Sequence, residues 1–207
     1  MQELLLPLFP LNVVLFPGTN LALHIFEERY KQMIADCLEN RWEFGVVLVQ
    51  EDSLDDTGCT ALVSKVVRKY DDGRMDIRVR GQRRFEILVL DRQKPYLRGA
   101  PHFFDDDEAG AVSGSDGRRK QAFEIYEQVI KMLEPEDPEP PDLHDARLSF
   151  QIMARLPVDL GFKQNLLENR SESERLTQVV SFLQKVVARL SLVTKTRARA
   201  GGNGQRR

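Results

Sequence analysis

Residues 59–90 read CTALVSKVVRKYDDGRMDIRVRGQRRFEILVL and predict a long β-hairpin. The Asp71-Asp72-Gly73 sequence between its arms is typical of a tight turn, in which glycine adopts a positive φ at little cost. In the second arm, a period of two predicts a strand with one buried face. Six apolar side chains of that arm lie at odd positions: Met75, Ile77, Val79, Phe85, Ile87 and Val89. Gly81 interrupts the arm and indicates a bulge or a close backbone approach.

The even positions of the same arm predict a cationic outer face. They carry Asp76, Arg78, Arg80 and Arg84. Between residues 65 and 84 the chain has eight basic and three acidic residues, so the predicted face has a local positive excess. A charged outer face is also the ordinary state of a half-solvated antiparallel strand. No aromatic residue alternates with these arginines to stack on a base.

The segments before and after the hairpin continue the β-rich pattern around a single helix. Residues 27–40 carry apolar side chains at helical spacing and predict that helix. The Pro17-Gly18 dipeptide predicts a turn. Further strands are predicted from short apolar runs and alternation at residues 4–8, 13–16, 21–25, 44–49 and 96–104.

The composition changes character near residue 105, which predicts a domain boundary. Beyond it, apolar residues recur at three- and four-residue spacing and predict helices. Ser171 and Glu174 form a capping-box pattern that predicts the start of the last helix. We therefore expect an α+β protein with a β-rich subdomain at 1–106, a polar linker at 107–118, a helical subdomain at 119–192 and a disordered basic tail at 193–207.

The composition also excludes several classes of protein. The chain has 207 residues, a formal net charge of -2 and a mean hydropathy of -0.39. No apolar run approaches the length of a membrane span. The net charge is slightly negative, so the chain as a whole does not attract nucleic acid electrostatically. The first residues lack a basic leading segment and a small-residue cleavage site, so no export signal is expected. Cys37 and Cys59 form no CxxC pattern, which favours a reducing, cytoplasmic location.

Catalytic and metal-binding motifs are missing from the sequence. It has no Gly-Lys dipeptide, and hence no Walker A loop, and it has no Gly-x-Ser-x-Gly nucleophile elbow. The three histidines, His24, His102 and His144, are far apart and form no metal-binding pair. We therefore expect no enzymatic activity, no metal and no cofactor.

Five motifs together resemble the N-terminal substrate-recognition domain of the Lon ATP-dependent protease. They are LPLFPLNVVLFPG (6–18), LALHIFEERY (21–30), FGVVLV (44–49), DGRMDIRVRGQRRFEI (72–87) and ARLPVDLGFKQNLLENRSESERLTQVVSFLQ (154–184). The resemblance implies a β-rich subdomain of the PUA-like pseudobarrel type, followed by a helical bundle. It also implies binding of protein substrates. Because the ATPase and peptidase domains of Lon are missing here, it implies a free-standing N-terminal domain without proteolytic activity.

Two binding functions are open at this point. The favoured one is a non-catalytic polypeptide-binding or adaptor module, with candidate binding residues Phe103, Phe104 and Trp42. For each of the three, burial in a core is the favoured interpretation, because large aromatic residues are mostly buried. The alternative is RNA binding, which PUA-like barrels of other proteins perform, with candidate residues Arg78, Arg80 and Arg84. The sequence favours a polypeptide over a nucleic acid as partner, predicts no membrane partner and leaves the oligomeric state open.

Overall fold

A computed structural model describes residues 5–51, 53–107, 115–133 and 140–202. The chain divides into two compact units, Met1–Asp106 with Met153–Arg170, and Asp107–Ile152 with Ser171–Arg207. In chain order the elements are β1 (Leu6–Leu11), β2 (Asn20–Ile25), α1 (Glu28–Asn40), β3 (Phe44–Gln50), β4 (Ser53–Lys69), β5 (Met75–Asp91), β6 (Arg98–Phe104), α2 (Ser115–Leu133), α3 (Leu148–Ala154), α4 (Leu160–Glu168) and α5 (Glu172–Gly202). The α+β class predicted from the sequence is confirmed.

The sheet of the first unit closes on itself. Its strand order is β2-β5-β4-β3-β1-β6, and β6 also pairs with β5. β1 is parallel to β3, and the other pairings are antiparallel. Closure depends on the length of β5: β4 pairs along one edge, while β2 pairs with residues 75–80 and β6 with residues 84–91 of the other edge. This closed sheet agrees with the pseudobarrel that the resemblance implied.

β4 and β5 form the hairpin that the sequence predicted. Its turn contains Gly73, at a φ of 82°. The close approach predicted at Gly81 is also present, because a Cβ atom there would lie 2.2 Å from the carbonyl oxygen of Phe16. The backbone of Gly81 accepts a hydrogen bond from the N–H of Gly18 and donates one to the carbonyl of Thr19. The hairpin is thus tied to the turn that precedes β2.

The side chains of β5 are buried at the predicted alternate positions only in part of the strand. Met75, Ile77, Val79 and Phe85 are buried, as expected. Val89 is 57% exposed, against the prediction, because the β5–β6 register shifts between Ile87 and Val89 and interrupts the alternation of the two faces. The run at residues 13–16, predicted as a strand, is a connection without strand pairing whose last three side chains are buried.

The second unit contains a buried ionic cluster. Arg175 is fully buried and lies 4.3 Å from the ring centroid of Phe150. Its guanidinium donates hydrogen bonds to the hydroxyl of Ser149 at 3.1 Å and to the carboxylate of Glu172 at 2.8 Å. The hydroxyl and the N–H of Ser149 donate to the same carboxylate. This cluster joins α3 to the first turn of α5.

The predicted start of α5 is confirmed, since the helix begins at Glu172 and the hydroxyl of Ser171 accepts a hydrogen bond from the N–H of Glu174. Other boundaries differ from the predictions. α2 begins at Ser115, inside the predicted linker, of which residues 108–114 lie outside the described part of the chain. The tail predicted to be disordered from residue 193 continues α5 as far as Gly202, because it contains good helix formers; residues 203–207 are not described.

α4 belongs to the first unit, although the sequence placed it in the helical subdomain. Gln164 donates a hydrogen bond from its side chain to the carbonyl of Thr57 on β4, at 3.0 Å. Arg170, two residues after the end of α4, forms an ion pair with Glu86 on β5, at 3.2 Å. These contacts connect positions more than eighty residues apart. The helical periodicity of the sequence is a local pattern and could not predict them.

Candidate functional site

A cleft of about 310 Å³ opens on the surface of the first unit beside the start of β1. Three chain segments form it: the entry to β1, the connection from α1 to β3, and β6. Its lining residues are Leu5, Leu6, Pro7, Arg41, Trp42, Glu43 and Phe103. The cleft therefore brings together two of the three residues predicted to bind polypeptide, Trp42 and Phe103.

Trp42 owes its position to the way in which α1 ends. Arg41 adopts the left-handed conformation with a φ of 55°, and the N–H of Trp42 donates to the carbonyl of Cys37 at 3.0 Å. This pattern closes the helix and turns the chain towards β3 two residues later. The indole consequently stays at the surface, where Trp42 is 50% exposed. The sequence favoured a core position for Trp42, and that prediction is wrong.

Phe103 connects the cleft to the core of the first unit. It pairs with Phe85 across β6 and β5, and the two ring centroids lie 6.4 Å apart in an edge-to-face arrangement. The guanidinium of Arg83 lies 4.5 Å from the centroid of the Phe103 ring. Phe103 is partly buried against the cluster of Leu6, Leu8, Val47 and Phe85. The cleft thus has an aromatic wall that the core holds in place.

Phe104 does not belong to the cleft. Successive strand residues point to opposite faces of a sheet, so Phe104 faces away from Phe103. It is only 6% exposed and lies between two guanidinium groups, those of Arg84 at 4.6 Å and Arg170 at 4.5 Å from its ring centroid. Phe104 therefore has too little exposed surface to contact a peptide directly, as the sequence had suggested.

Arg84 is a structural residue and not part of a cationic surface. It is 4% exposed, and its guanidinium donates hydrogen bonds to the carbonyls of Leu167 at 3.0 Å and Asn169 at 2.7 Å, as well as to the carboxylate of Asp106. These two carbonyls lie at the C-terminal end of α4, where backbone acceptors need partners. Arg78 and Arg80, the other two arginines of the predicted face, are exposed.

The chemistry of the cleft is that of an apolar binding surface. Arg41 and Glu43 place one positive and one negative group at its edge, and the remaining lining residues are apolar. In the described part of the chain, no three His, Cys, Asp or Glu residues lie close enough together to hold a metal ion. The arrangement can desolvate apolar side chains and can offer hydrogen bonds at its edge.

Residues 5–185 match the profile of the ATP-dependent protease La (LON) substrate-binding domain. The chain belongs to this Lon family. It is similar to the Lon protease of Anaeromyxobacter dehalogenans, with 27% identity over 92% of this chain and 24% of that protein. The chain thus spans about a quarter of the length of the curated Lon proteases that it matches. These matches are to the substrate-binding domain of Lon and not to its ATPase or peptidase domains.

Solved structures of Lon N-terminal domains have the same fold. A Lon N-terminal domain protein from Xanthomonas campestris is 26% identical, with a TM-score of 0.66, 86% of this chain covered and 97% of that one. The N-terminal domain of the Mycobacterium avium complex Lon protease is 16% identical, also with a TM-score of 0.66, over 87% of this chain and 98% of that one, which shows the fold alone. Among the described residues, no helix is both long and apolar enough to cross a membrane.

The sequence predicted two residues of the cleft and missed the others. Leu5, Leu6 and Pro7 have the apolar pattern of a strand, and nothing local indicates that they lie beside a helix end. Arg41 and Glu43 were missed because they flank Trp42 in a connection that has no motif of its own. Their position next to an aromatic residue in a loop is the one signal that the sequence offers, since loop residues carry function more often than strand residues do.

Proposed function

We propose that the Trp42–Phe103 cleft binds apolar side chains of unfolded or extended polypeptide segments, and that the protein acts by binding without catalysing a reaction. The family supports this proposal, because its description is that of a substrate-binding domain of an ATP-dependent protease. The observation that carries it is the half-exposed Trp42 in an apolar cleft. Tryptophan is among the residues that most often dominate the free energy of protein binding.

The geometry favours a polypeptide over a compact small molecule. The cleft is at the lower end of the usual volume of small-molecule sites and is open along the entry to β1. Such a surface accepts one or two large apolar side chains of a longer segment. Arg41 and Glu43 can pair with the carbonyl and amide groups of its main chain. Recognition by apolar anchors and main-chain contacts tolerates many sequences, as a receptor for unfolded chains requires.

We further propose that the protein works in the cytoplasm as an adaptor that presents bound chains to a partner. Its two cysteines, Cys37 and Cys59, are free and buried, which suits a reducing compartment. In this role the protein holds a bound chain while a second protein moves or degrades it. The family description, a substrate-binding domain of an ATP-dependent protease, supports such a partner.

A peptide titration tests the proposed site. The probe is a fluorescein-labelled twelve-residue peptide with phenylalanine and leucine at alternate positions and glutamate or lysine between them. We expect Trp42→Ala to weaken binding at least tenfold, since a central tryptophan contact contributes roughly 2 kcal/mol or more. The control is Leu88→Ala, because Leu88 is 65% exposed in the same unit but outside the cleft. Equal affinity of the two variants would contradict the proposed site.

A further inference from the structure

The outer face of the three-stranded arm formed by β2, the first half of β5 and the second half of β4 carries an unusual set of charges. Lys65 lies directly opposite Arg78 in the β4–β5 register, Leu62 lies opposite Arg80, and Arg68 lies opposite Asp76. The cationic face is defined here as Lys65, Arg68, Arg78 and Arg80. All four residues are exposed.

The pairing of Lys65 with Arg78 opposes folding. Like charges that face each other across two strands are destabilising. Within the described residues, neither side chain forms an ion pair with a carboxylate, and the same holds for Arg80. A local arrangement that costs stability and has no compensation inside the fold indicates a surface shaped for a ligand. The charge of that ligand must be negative.

Asp76, which shares the face, lies opposite Arg68 and does not neutralise the other three cations. Its carboxylate accepts a hydrogen bond from the hydroxyl of Tyr70 at 2.8 Å and lies 2.6 Å from Nδ1 of His24. Both contacts lower the pKa of Asp76. The carboxylate is therefore occupied by Tyr70 and His24, near the hairpin turn. The guanidinium of Arg68 lies over the Tyr70 ring, 4.5 Å from its centroid. Lys65, Arg78 and Arg80 are left for an external anion.

Two aromatic rings extend the face at the same end. Phe26 is 61% exposed, and its ring is stacked on that of His24, with centroids 5.9 Å apart and planes inclined by 22°. The side chain of His24 is itself 45% exposed. His24 lies in β2 and Phe26 directly follows it. The sequence of the β4–β5 hairpin alone therefore does not predict that these rings adjoin the cationic face. Their π-faces are available to a ligand that has rings of its own.

We propose that this face binds single-stranded nucleic acid, with the backbone phosphates on Lys65, Arg78 and Arg80 and an unpaired base on the stacked rings of Phe26 and His24. Single-stranded nucleic acids are bound by the combination of a cationic track and aromatic platforms. An acidic polypeptide would use the cations and leave the rings without a role. A duplex keeps its bases stacked inside and offers nothing to Phe26. The site shares no residue with the Trp42–Phe103 cleft.

The test uses the full chain and three labelled probes: a twenty-nucleotide oligothymidylate, a duplex of the same length and a twenty-residue polyglutamate. The wild type is expected to bind the single strand tightest. Arg78→Gln with Arg80→Gln should weaken that binding at least tenfold at 50 mM salt. It should also reduce the salt slope of log K by about 1.4, the value for two neutralised phosphates. The matched control is Arg92→Gln with Lys120→Gln, which removes the same charge from two other exposed positions.

Phe26→Ala separates stacking from electrostatics. Loss of one base contact should weaken binding by roughly fivefold or more, by the same factor at low and at high salt, because stacking does not depend on counterion release. Peptide binding by Phe26→Ala and oligonucleotide binding by Trp42→Ala should both match the wild type. The proposal is overturned if the wild type does not bind the single strand, if the double variant binds like its control, or if polyglutamate or the duplex binds as tightly as the single strand.

Discussion

The guanidinium of Arg84 lies 4.6 Å from the ring centroid of Phe104, and the two residues face each other across β5 and β6. The end of α4 covers both, since its carbonyls at Leu167 and Asn169 accept hydrogen bonds from the same guanidinium. One contact thus assigns a structural role to two residues that the sequence suggested as binding residues. It also attaches α4 to the closed sheet.

Replacing Arg84 should destabilise the first unit. Arg84→Met removes hydrogen bonds to two backbone carbonyls and to Asp106, so we expect a loss of about 2–4 kcal/mol in the free energy of unfolding. Urea unfolding followed by the fluorescence of Trp42, the single tryptophan of the chain, measures this unit. The control is Arg78→Met on the same strand, which should be neutral or slightly stabilising because it removes the like-charge pair with Lys65. Equal losses in the two variants would refute the structural role of Arg84.

The buried carboxyl of Glu172 should make the second unit less stable as the pH rises. Burial raises the pKa of Glu172, and this effect exceeds the opposing influence of Arg175 and of the Ser149 hydrogen bonds. The folded chain therefore holds this proton more tightly than the unfolded chain does. The stabilisation is complete below the unfolded pKa and is lost as the pH rises through the raised folded pKa.

Glu172→Gln isolates this contribution, because glutamine does not titrate. The free energy of unfolding of the wild type, relative to that of the variant, should fall as the pH rises above the ordinary pKa of glutamate, about 4.3. Helix loss followed by circular dichroism is the appropriate measurement, since most of the helix lies in the second unit. A relative stability that rises over the same range would mean that the ion pair with Arg175 outweighs burial.

The thiols should be inert in the native protein. Burial, together with the neighbouring Asp36 carboxylate, raises the pKa of Cys37 to about 12, and Cys59 is fully buried. The thiolate is the reactive form, so at pH 8 neither cysteine should react with an aromatic disulfide reagent. Denatured protein should release two equivalents of the reporter thiolate at once. Rapid release of one equivalent by the folded protein would contradict this prediction, because it would show that one of the two thiols is accessible.

The fold was predictable wherever its cause is local. The β4–β5 hairpin follows from alternation and from the turn at Gly73, and α1 follows from one apolar stripe, so both elements occur close to their predicted bounds. The burial of Arg84 was not predictable, because a strand pattern specifies which side a residue faces but not what covers that side. α4 provides the cover from a position more than eighty residues away.

The candidate site was predictable to a similar degree. Trp42 and Phe103 stand out in the sequence as large aromatic residues near element ends, and the structure brings them to one cleft. Phe104 could not be separated from Phe103 by composition, and only the register with Arg84 shows which of the two faces the cleft. The rings of Phe26 and His24 reach the cationic face from a different strand, a relation that exists only after β2 has paired with β5.

The most direct test of the account is the emission of Trp42 during a titration with the unlabelled alternating phenylalanine and leucine peptide. Because Trp42 is the single tryptophan and is half exposed, its spectrum reports on the cleft alone. We expect a saturable shift to shorter wavelength as the peptide removes water from the indole, and no shift with a peptide in which serine replaces the apolar residues. Saturable binding of the first peptide with an unchanged Trp42 spectrum would contradict the account, because it would place the polypeptide elsewhere on the molecule.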